Sequence, residues 1–417
     1  MKTNHTASYL ILSCFFFSML FSACSPDSVV DNDDDVVDDG DPIGIIDPDP
    51  DVSAIEETFQ GRIDLDNLHN YANQSIPNYI NKDNTTTNPI TDAGATLGRV
   101  LFYDKELSFD RTVSCASCHK QSLAFGDELQ ASEGVAGTTG RHSMRLVNAR
   151  FANETRFFWD ERAPTLEFQT TQPIQDHIEM GFSGAQGDPD IEALIDRLSG
   201  LEYYQELFRF VYGDATVTEE RMQTALAQFV RSIQSFDSKY DVGRAQVGNN
   251  NQPFPNFTQQ ENLGKNLFMT PPQVNPGAGR VGGGVGCGGC HRAPEFDIDP
   301  NSRNNGVIAS IVGNEFELNI TRSPSLRDIF GPDGQPNGPL MHTGDMDFEQ
   351  VLNHYDRIDA VGNPNLDRRL TAPGPGGGAG QQLNLTQDER EAVTAFIHTL
   401  SGNEMYTAER WSDPFPQ

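Results

Sequence analysis

The chain has 417 residues and a formal net charge of −31 at pH 7. A protein this acidic lacks the basic surface that nucleic-acid binding requires, so we expect no nucleic-acid partner. Its length is sufficient for two domains of ordinary size.

The N-terminus is typical of an export signal. Lys2 is followed by an apolar run from Tyr9 to Phe21, which is too short for a transmembrane helix. The run ends at Phe21-Ser-Ala-Cys24, which resembles the lipobox of bacterial lipoproteins, although Phe21 stands where leucine is usual. We therefore predict a lipoprotein signal peptide over residues 1–24, with plain secretion as the alternative. A lipidated Cys24 would attach the protein to a membrane surface without spanning it, which places it in the periplasm or cell envelope.

An acidic segment follows this signal. No Lys or Arg occurs from Ser25 to Gly61, whereas aspartates crowd together between Asp27 and Asp41. Such a segment repels itself and has too little apolar surface to fold. Residues 25–60 are therefore predicted to form a disordered, solvated tether.

The cysteines outside the signal form two short motifs. These are Cys115-Ala-Ser-Cys118-His119 and Cys287-Gly-Gly-Cys290-His291. The spacing lets both thiols bond to the vinyl groups of one porphyrin while the adjacent imidazole reaches the iron, so each motif predicts one covalently bound haem c. A CxxC pair can also form a disulfide or a redox motif, and two pairs together can bind zinc. Neither alternative requires a histidine directly after each second cysteine, so we favour two c-type haems.

A short internal repeat precedes both haem motifs. Leu97-Gly-Arg-Val-Leu-Phe102 and Leu263-Gly-Lys-Asn-Leu-Phe268 each predict the end of a helix that leads into a haem-binding loop. The repeat indicates two haem domains of similar construction.

Two further helices are predicted from their caps and apolar faces. Thr218 caps a helix whose apolar face consists of Met222, Leu226, Phe229, Val230 and Ile233. The capping box from Thr386 to Glu389 begins a last helix, which is predicted to stop at Gly402. Strand signals are few and short. The sequence therefore predicts a mainly α-helical fold with long loops and a domain boundary near Asp241.

Two glycine-rich stretches, 277–286 and 373–380, are predicted to be flexible connections. Gly277-Ala-Gly-Arg-Val-Gly282 matches the nucleotide-binding pattern GxGxxG by letter. We predict no strand before it, and a haem motif follows, so we discard a nucleotide site.

From Leu97 to Gly402 the chain resembles the bacterial di-haem cytochrome c peroxidase family, which includes the MauG and MbnH types. The likeness lies in the two haem motifs and in five further segments, which are residues 97–108, 158–163, 172–180, 323–327 and 339–342. The resemblance implies two cytochrome c-like domains, which we assign to residues 61–241 and 242–417. It also implies a peroxide-reactive haem in the first domain and an electron-transferring haem in the second.

The family pattern assigns three catalytic candidates around the first haem. Glu179 matches the distal acid–base carboxylate, and Gln169 matches the distal glutamine that orients peroxide by hydrogen bonding. A carboxylate in a poorly solvated haem pocket should have a raised pKa, which suits a proton shuttle. Trp159 matches the tryptophan that relays electrons between the haems. The alternatives are a solvated helix residue for Glu179 and an ordinary buried aromatic for Trp159.

The sixth ligand of the second haem separates the branches of the family. A capping box from Asp347 to Gln350 predicts a short helix on which Phe348, Val351, Leu352 and Tyr355 share an inward face. Family peroxidases carry a methionine where Tyr355 falls, whereas MauG-type enzymes carry a tyrosine. We therefore predict Tyr355 as the ligand, with Met341, Met346 or His354 as alternatives, or a purely structural aromatic.

Two departures from the family pattern concern His142. Family peroxidases carry a loop histidine that blocks the first iron at rest, but His142 is the only histidine between His119 and Trp159. Its spacing from Asn148 places it instead at the family's calcium-binding asparagine, so we expect an open first haem. Imidazole is a poor ligand for a hard cation. One calcium ion, bound by the backbone carbonyls of Asn337 and Pro339, remains a candidate. His342 matches a family histidine and is assigned only a structural or supporting role.

Three functions are compatible with these residues. The first is a peroxidase that reduces hydrogen peroxide to water with electrons from a small redox protein, either a c-type cytochrome or a cupredoxin. The second is a MauG- or MbnH-like oxidase that modifies a tryptophan or tyrosine of a protein partner. The third is a surface-tethered electron carrier without enzymatic activity, which requires strong ligands on both sides of each iron.

Overall fold

The computed structural model describes residues 53–153, 155–297, 300–372 and 379–416. The predicted signal peptide, most of the tether and residues 373–378 of the second glycine-rich stretch lie outside the described residues. None of the helices within the described ranges is both long and apolar enough to cross a membrane.

The fold is mainly α-helical with few short strands, as the sequence predicts. In the first half of the chain the helices are α1 (Ala54–Phe59), α2 (Asp92–Tyr103), α3 (Cys115–Cys118), α4 (Leu166–Thr170), α5 (Ile191–Ser199), α6 (Glu202–Tyr212) and α7 (Glu219–Ser232). They are followed by α8 (Lys239–Arg244), α9 (Gln259–Met269), α10 (Phe348–Asp356) and α11 (Gln387–His398). The strands are β1 (Glu133–Gly134) with β2 (Gly137–Thr138), and β3 (Pro272–Asn275) with β4 (Gly279–Gly283), each pair antiparallel.

Two equivalent helix pairs carry the internal repeat. Helix α2 packs against α7, and α9 packs against α11. At the crossing points, a Cβ on Gly98 would lie 2.0 Å from the Ala225 carbonyl oxygen, and one on Gly264 would lie 1.8 Å from the Ala392 carbonyl oxygen. Both distances are far below van der Waals contact. The repeated glycine therefore allows the backbones of each pair to approach closely.

Replacing either repeat glycine with alanine is expected to destabilise the protein. For Gly98→Ala or Gly264→Ala the new methyl group meets backbone rather than a movable side chain, so we expect a loss of about 1–3 kcal/mol in the free energy of unfolding. Urea unfolding monitored by circular dichroism measures this loss. The control is Gly248→Ala, where a Cβ would meet only the Gln252 side chain, at an ordinary 3.5 Å. Equal stability of all three variants would contradict the close crossing.

Two hydrophobic cores follow from these helix pairs. The first surrounds α2 and α7, and it contains residues from Ile55 to Ile233 together with Met405 and Trp411. The second surrounds α9 and α11 and runs from Tyr240 to Leu400. The change from one core to the other lies close to the boundary predicted near Asp241. Because the described residues belong to a single compact unit, the division into two domains stays a prediction.

The end of the chain returns to the first core. We call residues 405–416 the C-terminal strap. Trp411 of this strap is 1% exposed, and its indole N–H donates to the Ser232 hydroxyl at 3.2 Å. The Tyr103 hydroxyl donates to the Trp411 carbonyl at 2.6 Å, and Arg99 donates to the Ser412 carbonyl at 2.6 Å. The sequence analysis places these residues in the second domain, because their pattern does not indicate that they pack against the first core.

Four predictions about individual segments are wrong in detail. The tether ends before residue 60, because α1 buries Ile55 and Phe59 against the first core. The stretch 277–286 is not a flexible connection, since Gly277 and Gly279 allow the turn of the β3–β4 hairpin. The prediction that no strand precedes Gly277 is wrong, because β3 ends at Asn275. Among the described residues the hairpin is followed by a 3₁₀ turn, Cys287–Gly289, and not by the α-helix that a nucleotide site requires, so discarding that site still holds. Helix α11 ends at His398, earlier than the predicted stop at Gly402.

Candidate functional site

The first haem motif forms the short helix α3, which begins at a capping box between Ser114 and Ser117. The Cys115 and Cys118 thiols are not joined in a disulfide. His119 Nδ1 lies 3.1 Å from the Phe125 carbonyl oxygen, and burial lowers the pKa of its imidazole. The ring is therefore held neutral in one orientation with Nε2 available, as a metal ligand requires.

Two of the alternatives for the cysteine pairs, a disulfide and a zinc site, have no counterpart in the part of the chain that the structure describes. Cys287 and Cys290, like the first pair, are not joined in a disulfide. Within the described ranges, no group of three or more His, Cys, Asp or Glu side chains is arranged to hold a metal ion, which includes a four-thiolate zinc site. The arrangement of each motif therefore fits covalent haem attachment better than a disulfide or zinc.

A large cavity opens beside the first motif. It has a volume of about 990 Å³ and is lined by Cys115, Cys118 and His119. Gln169, Glu179 and Trp159, the three predicted catalytic residues, line the same cavity. Much of the remaining wall is apolar and includes Phe102, Leu146, Phe158, Leu166, Leu226 and Val230. The space and its donor set fit an iron porphyrin bound through α3.

Glu179 is held in this wall by its own backbone. Its N–H donates to Asp176 Oδ1 at 3.1 Å, and its carbonyl accepts from the Val135 N–H at 3.1 Å. Burial, with a smaller contribution from Asp176, raises the pKa of its carboxyl to about 7. The raised value agrees with the expectation from the sequence. A carboxyl with this pKa exchanges protons readily near neutral pH.

Gln169 approaches the cavity from α4. Thr165 caps that helix by accepting a hydrogen bond from the Phe168 N–H at 3.1 Å. The neighbouring residues Leu166 and Thr170 are buried, which fixes the helix against α7. The amide of Gln169 is therefore presented to the same space as Glu179.

The second haem motif begins with a 3₁₀ turn, Cys287–Gly289. Burial lowers the pKa of His291 to about 4, so its imidazole stays neutral at physiological pH. His291 lines a narrow cleft of about 80 Å³ together with Tyr355, Met341 and Trp159. Cys287 and Cys290 lie close enough to raise the pKa of the Tyr355 hydroxyl, although burial is the larger cause. The donor set would suit a second haem held by His291, with Tyr355 or Met341 as a further ligand.

Helix α10 has the predicted cap and the predicted inward face. The Gln350 N–H donates to Asp347 Oδ1 at 2.8 Å, and the Asp347 N–H donates to Gln350 Oε1 at 2.8 Å. Leu352 is buried, while Phe348, Val351 and Tyr355 line the cleft.

Two of the alternative ligands are placed less favourably. His354 Nε2 lies 2.9 Å from the Asn305 carbonyl oxygen, so this ring nitrogen already has a partner. Met346 pairs with Leu340 through its backbone and does not line the cleft. Tyr355 and Met341 thus remain the two candidates.

Trp159 lies between the two sites. Its side chain lines both the large cavity and the narrow cleft. Its indole N–H donates to the His142 carbonyl oxygen at 2.8 Å, and its ring centroid lies 6.2 Å from that of His342. The indole is therefore fixed at the common wall of the two candidate haem sites.

The histidines beside Trp159 have structural partners. His142 Nδ1 lies 2.9 Å from the Leu129 carbonyl oxygen, and His342 Nε2 lies 2.9 Å from that of Ala309.

The Asn337 amide donates to the Asp328 carbonyl at 2.8 Å and to the Tyr406 hydroxyl at 2.7 Å. Calcium binding at the carbonyls of Asn337 and Pro339 stays a prediction.

Two residues at the sites were not predicted. Arg145 lines both the cavity and the cleft, and burial lowers the pKa of its guanidinium to about 10. Asn305 lines the cleft beside Tyr355 and Met341. Arg145 lies in an irregular segment without a motif, and the Asn-Asn-Gly at 304–306 signals only a turn.

Residues 92–247 match the family model described as di-haem cytochrome c peroxidase. The matched span contains the first haem motif, Trp159, Gln169 and Glu179, in the order already given. These residues therefore constitute a di-haem cytochrome c peroxidase domain. The chain is accordingly an oxidoreductase, and the match implies haem c as its cofactor.

The proteins that this chain resembles in sequence carry two kinds of name. The chain is 28% identical over 331 residues to methylamine utilization protein MauG from Methylophilus methylotrophus, covering 76% of this chain and 85% of that protein. It is 27% identical over 322 residues to cytochrome c551 peroxidase from Nitrosomonas europaea, covering 74% and 80% respectively. The comparisons therefore leave open which of the two activities this protein has.

Similar solved structures carry the same two kinds of name. A MauG-like protein associated with microbial copper homeostasis has a TM-score of 0.61 and 26% identity, covering 82% of this chain and 99% of that one. The di-haem peroxidase BthA from Burkholderia thailandensis has a TM-score of 0.56 at 18% identity, covering 82% and 94%, which supports the fold alone.

Proposed function

We propose that this protein reduces hydrogen peroxide to water at the first haem, with electrons supplied through the second. The observation that carries the proposal is that Glu179 and Gln169 line the same cavity as Cys115, Cys118 and His119. Iron bound there through His119 would supply the electrons that cleave the O–O bond. The overall reaction consumes one peroxide, two electrons and two protons and yields two water molecules.

The side chains of the cavity handle the protons of this reaction. Glu179 would take a proton from one peroxide oxygen and deliver it to the other, which leaves as water. The amide of Gln169 donates a hydrogen bond that holds the departing oxygen in place. The apolar wall keeps bulk water away, so the carboxyl retains its raised pKa of about 7.

This role predicts a pH dependence. Glu179 accepts a proton only when ionised, so the second-order rate constant with peroxide should rise with pH, pass its half-maximum near pH 7 and reach a plateau above it. Below pH 6 the rate should fall by about tenfold per pH unit, because the ionised fraction falls in that proportion. Stopped-flow measurements between pH 5 and 9 test this. A flat profile would remove Glu179 from the rate-limiting proton transfer.

Trp159 is proposed to carry electrons between the two haems. Its indole N–H donates to the His142 carbonyl, which cannot accept a proton. An electron can therefore leave and return to the ring while the proton stays on nitrogen. This arrangement makes the relay reversible.

A second candidate function is supported by Tyr355. A phenolate ligand stabilises ferric and higher-valent iron better than a thioether, which favours long-lived storage of oxidising equivalents. Tyr355 lines the cleft beside His291, at the end of a well-capped helix. The second candidate is accordingly oxidation of a tryptophan or tyrosine in a protein partner, as proposed by analogy with MauG-named relatives.

One experiment distinguishes these functions. One equivalent of peroxide is added to the fully ferric protein, and its absorption and electron paramagnetic resonance spectra are followed. A peroxidase of the first kind should react promptly only after its second haem has been reduced. A partner-oxidising enzyme should show a long-lived change at both haems without prior reduction. No prompt reaction in either state would identify an electron carrier and contradict the proposed function.

We also propose that the protein is exported and anchored by lipid on Cys24. The support is the apolar run that ends at Phe21-Ser-Ala-Cys24 and the acidic segment that follows. Labelling with a radioactive fatty acid should mark the wild type and not the Cys24→Ala variant. The proposed electron donor, a small c-type cytochrome or cupredoxin, would then meet the protein outside the cytoplasm.

A further inference from the structure

We propose that Asn305 is a positioning residue that selects Tyr355 over Met341 as the ligand of the second iron. The inference rests on the proposed role of Tyr355. It adds a residue that holds one candidate ligand in place and keeps the other away. Both candidates line the cleft beside His291, so a selection between them is needed.

The orientation of the Asn305 amide is fixed by its own loop. The Val307 N–H donates to Asn305 Oδ1 at 3.0 Å, so the oxygen end of the amide faces the backbone. The Nδ2 end then faces the cleft and donates to Met341 Sδ at 3.4 Å. The Tyr355 hydroxyl lines the same cleft, close enough for the Asn305 side chain to lower its pKa against the larger, opposite effect of burial. One amide therefore contacts Met341 and lies beside Tyr355.

The loop that carries Asn305 is itself held tightly. Asn304 is fully buried, and its Oδ1 accepts from the Gly306 N–H at 2.8 Å and from the Asn363 amide at 2.7 Å. The Asn305 carbonyl oxygen lies 2.9 Å from His354 Nε2, which connects the loop to the helix that carries Tyr355. Gly306 has a φ of +96°, and a Cβ there would lie 3.2 Å from the His354 ring. The amide consequently has little freedom to turn away.

These contacts have opposite effects on the two ligands. A sulfur lone pair that accepts an N–H bond is less available to iron, so the contact disfavours Met341. A hydrogen bond donated by the same amide to the Tyr355 oxygen would stabilise negative charge on that oxygen and fix its direction, so the position of Asn305 favours tyrosinate. Removing the amide should release Met341 and weaken the position of Tyr355. A thioether ligand raises the reduction potential of a haem above that given by tyrosinate.

The test is Asn305→Leu in the holoprotein, with the absorption, electron paramagnetic resonance spectrum and reduction potential of the second haem as readouts. We expect a fraction of the second haem to acquire methionine ligation and a higher potential. The double variant Asn305→Leu/Met341→Leu should lose that fraction. Asn251→Leu, in an exposed loop, is the matched control and should behave as wild type.

Two single variants keep the outcomes separate. Met341→Leu alone should leave the spectrum and potential unchanged, and a change there would mean that Met341 is already the ligand, which overturns the inference. Wild-type spectra and potential in Asn305→Leu would overturn it as well. Tyr355→Phe should alter the second haem in every case. If it does not, the proposed Tyr355 ligand fails while peroxide reduction at the first haem stands.

Discussion

Glu179→Gln is expected to slow the reaction with hydrogen peroxide by at least about a hundredfold, the lower range for loss of an acid–base group. Glutamine has nearly the shape of glutamate, so the cavity and its haem should be retained. It cannot accept the proton that leaves peroxide. Stopped-flow absorption at fixed pH measures the second-order rate constant, and the pH dependence seen in the wild type should disappear in the variant.

The control for this variant is Glu133→Gln. Glu133 is an exposed carboxylate on β1. In the turn of the same hairpin, the Val135 N–H donates to the Glu179 carbonyl. The substitution removes a negative charge from the same region, and Glu133 does not line the cavity. Its rate should stay within about twofold of the wild type, the range expected where no catalytic interaction is removed. Wild-type rates in Glu179→Gln would assign the proton transfer to another group.

Trp159→Phe is expected to slow electron transfer between the haems without slowing the first reaction with peroxide. Phenylalanine is much harder to oxidise than indole, so the relay is lost while an aromatic ring still fills the wall. We expect at least about a tenfold slower transfer, which corresponds to about 1.4 kcal/mol of activation free energy. The measurement is the rate at which the reduced second haem is oxidised after peroxide is mixed with the half-reduced protein.

Trp411→Phe is the matched control for the relay. The chain has two tryptophans, and Trp411 is also buried but packs in the C-terminal strap against Ser232. Its loss should lower stability and leave the transfer rate unchanged. Equal transfer rates in Trp159→Phe and wild type would mean that electrons pass between the haems by another route.

The helices of this fold could be predicted because their signals are local. The caps at Thr218, Asp347 and Thr386 accept hydrogen bonds from the N–H groups of the first helical turn, and the apolar residues that follow lie on buried faces. The glycine that recurs in α2 and α9 is also a local signal, and it identifies the two helices as equivalent. Its role in the close crossing appears only when the partner helices, more than a hundred residues away in the chain, are in place.

The candidate site was predictable where a motif fixes chemistry by spacing. The haem motifs bring two thiols and an imidazole together within five residues, and the family pattern added Gln169, Glu179 and Trp159, which the fold brings to one cavity. The sequence contains no such spacing for Arg145 or Asn305. Their roles depend on long-range packing of loops, as does the return of the C-terminal strap to the first core.

The central claim is that iron porphyrin is bonded to the cysteines of both motifs. Its most direct test is the intact mass of the mature protein, produced in cells that carry the haem maturation machinery. The mass should exceed that of the polypeptide by two haem groups, and the Cys115→Ala/Cys118→Ala and Cys287→Ala/Cys290→Ala variants should each lose one. A colourless protein with the mass of the bare polypeptide would contradict the haem assignment and, with it, the proposed function.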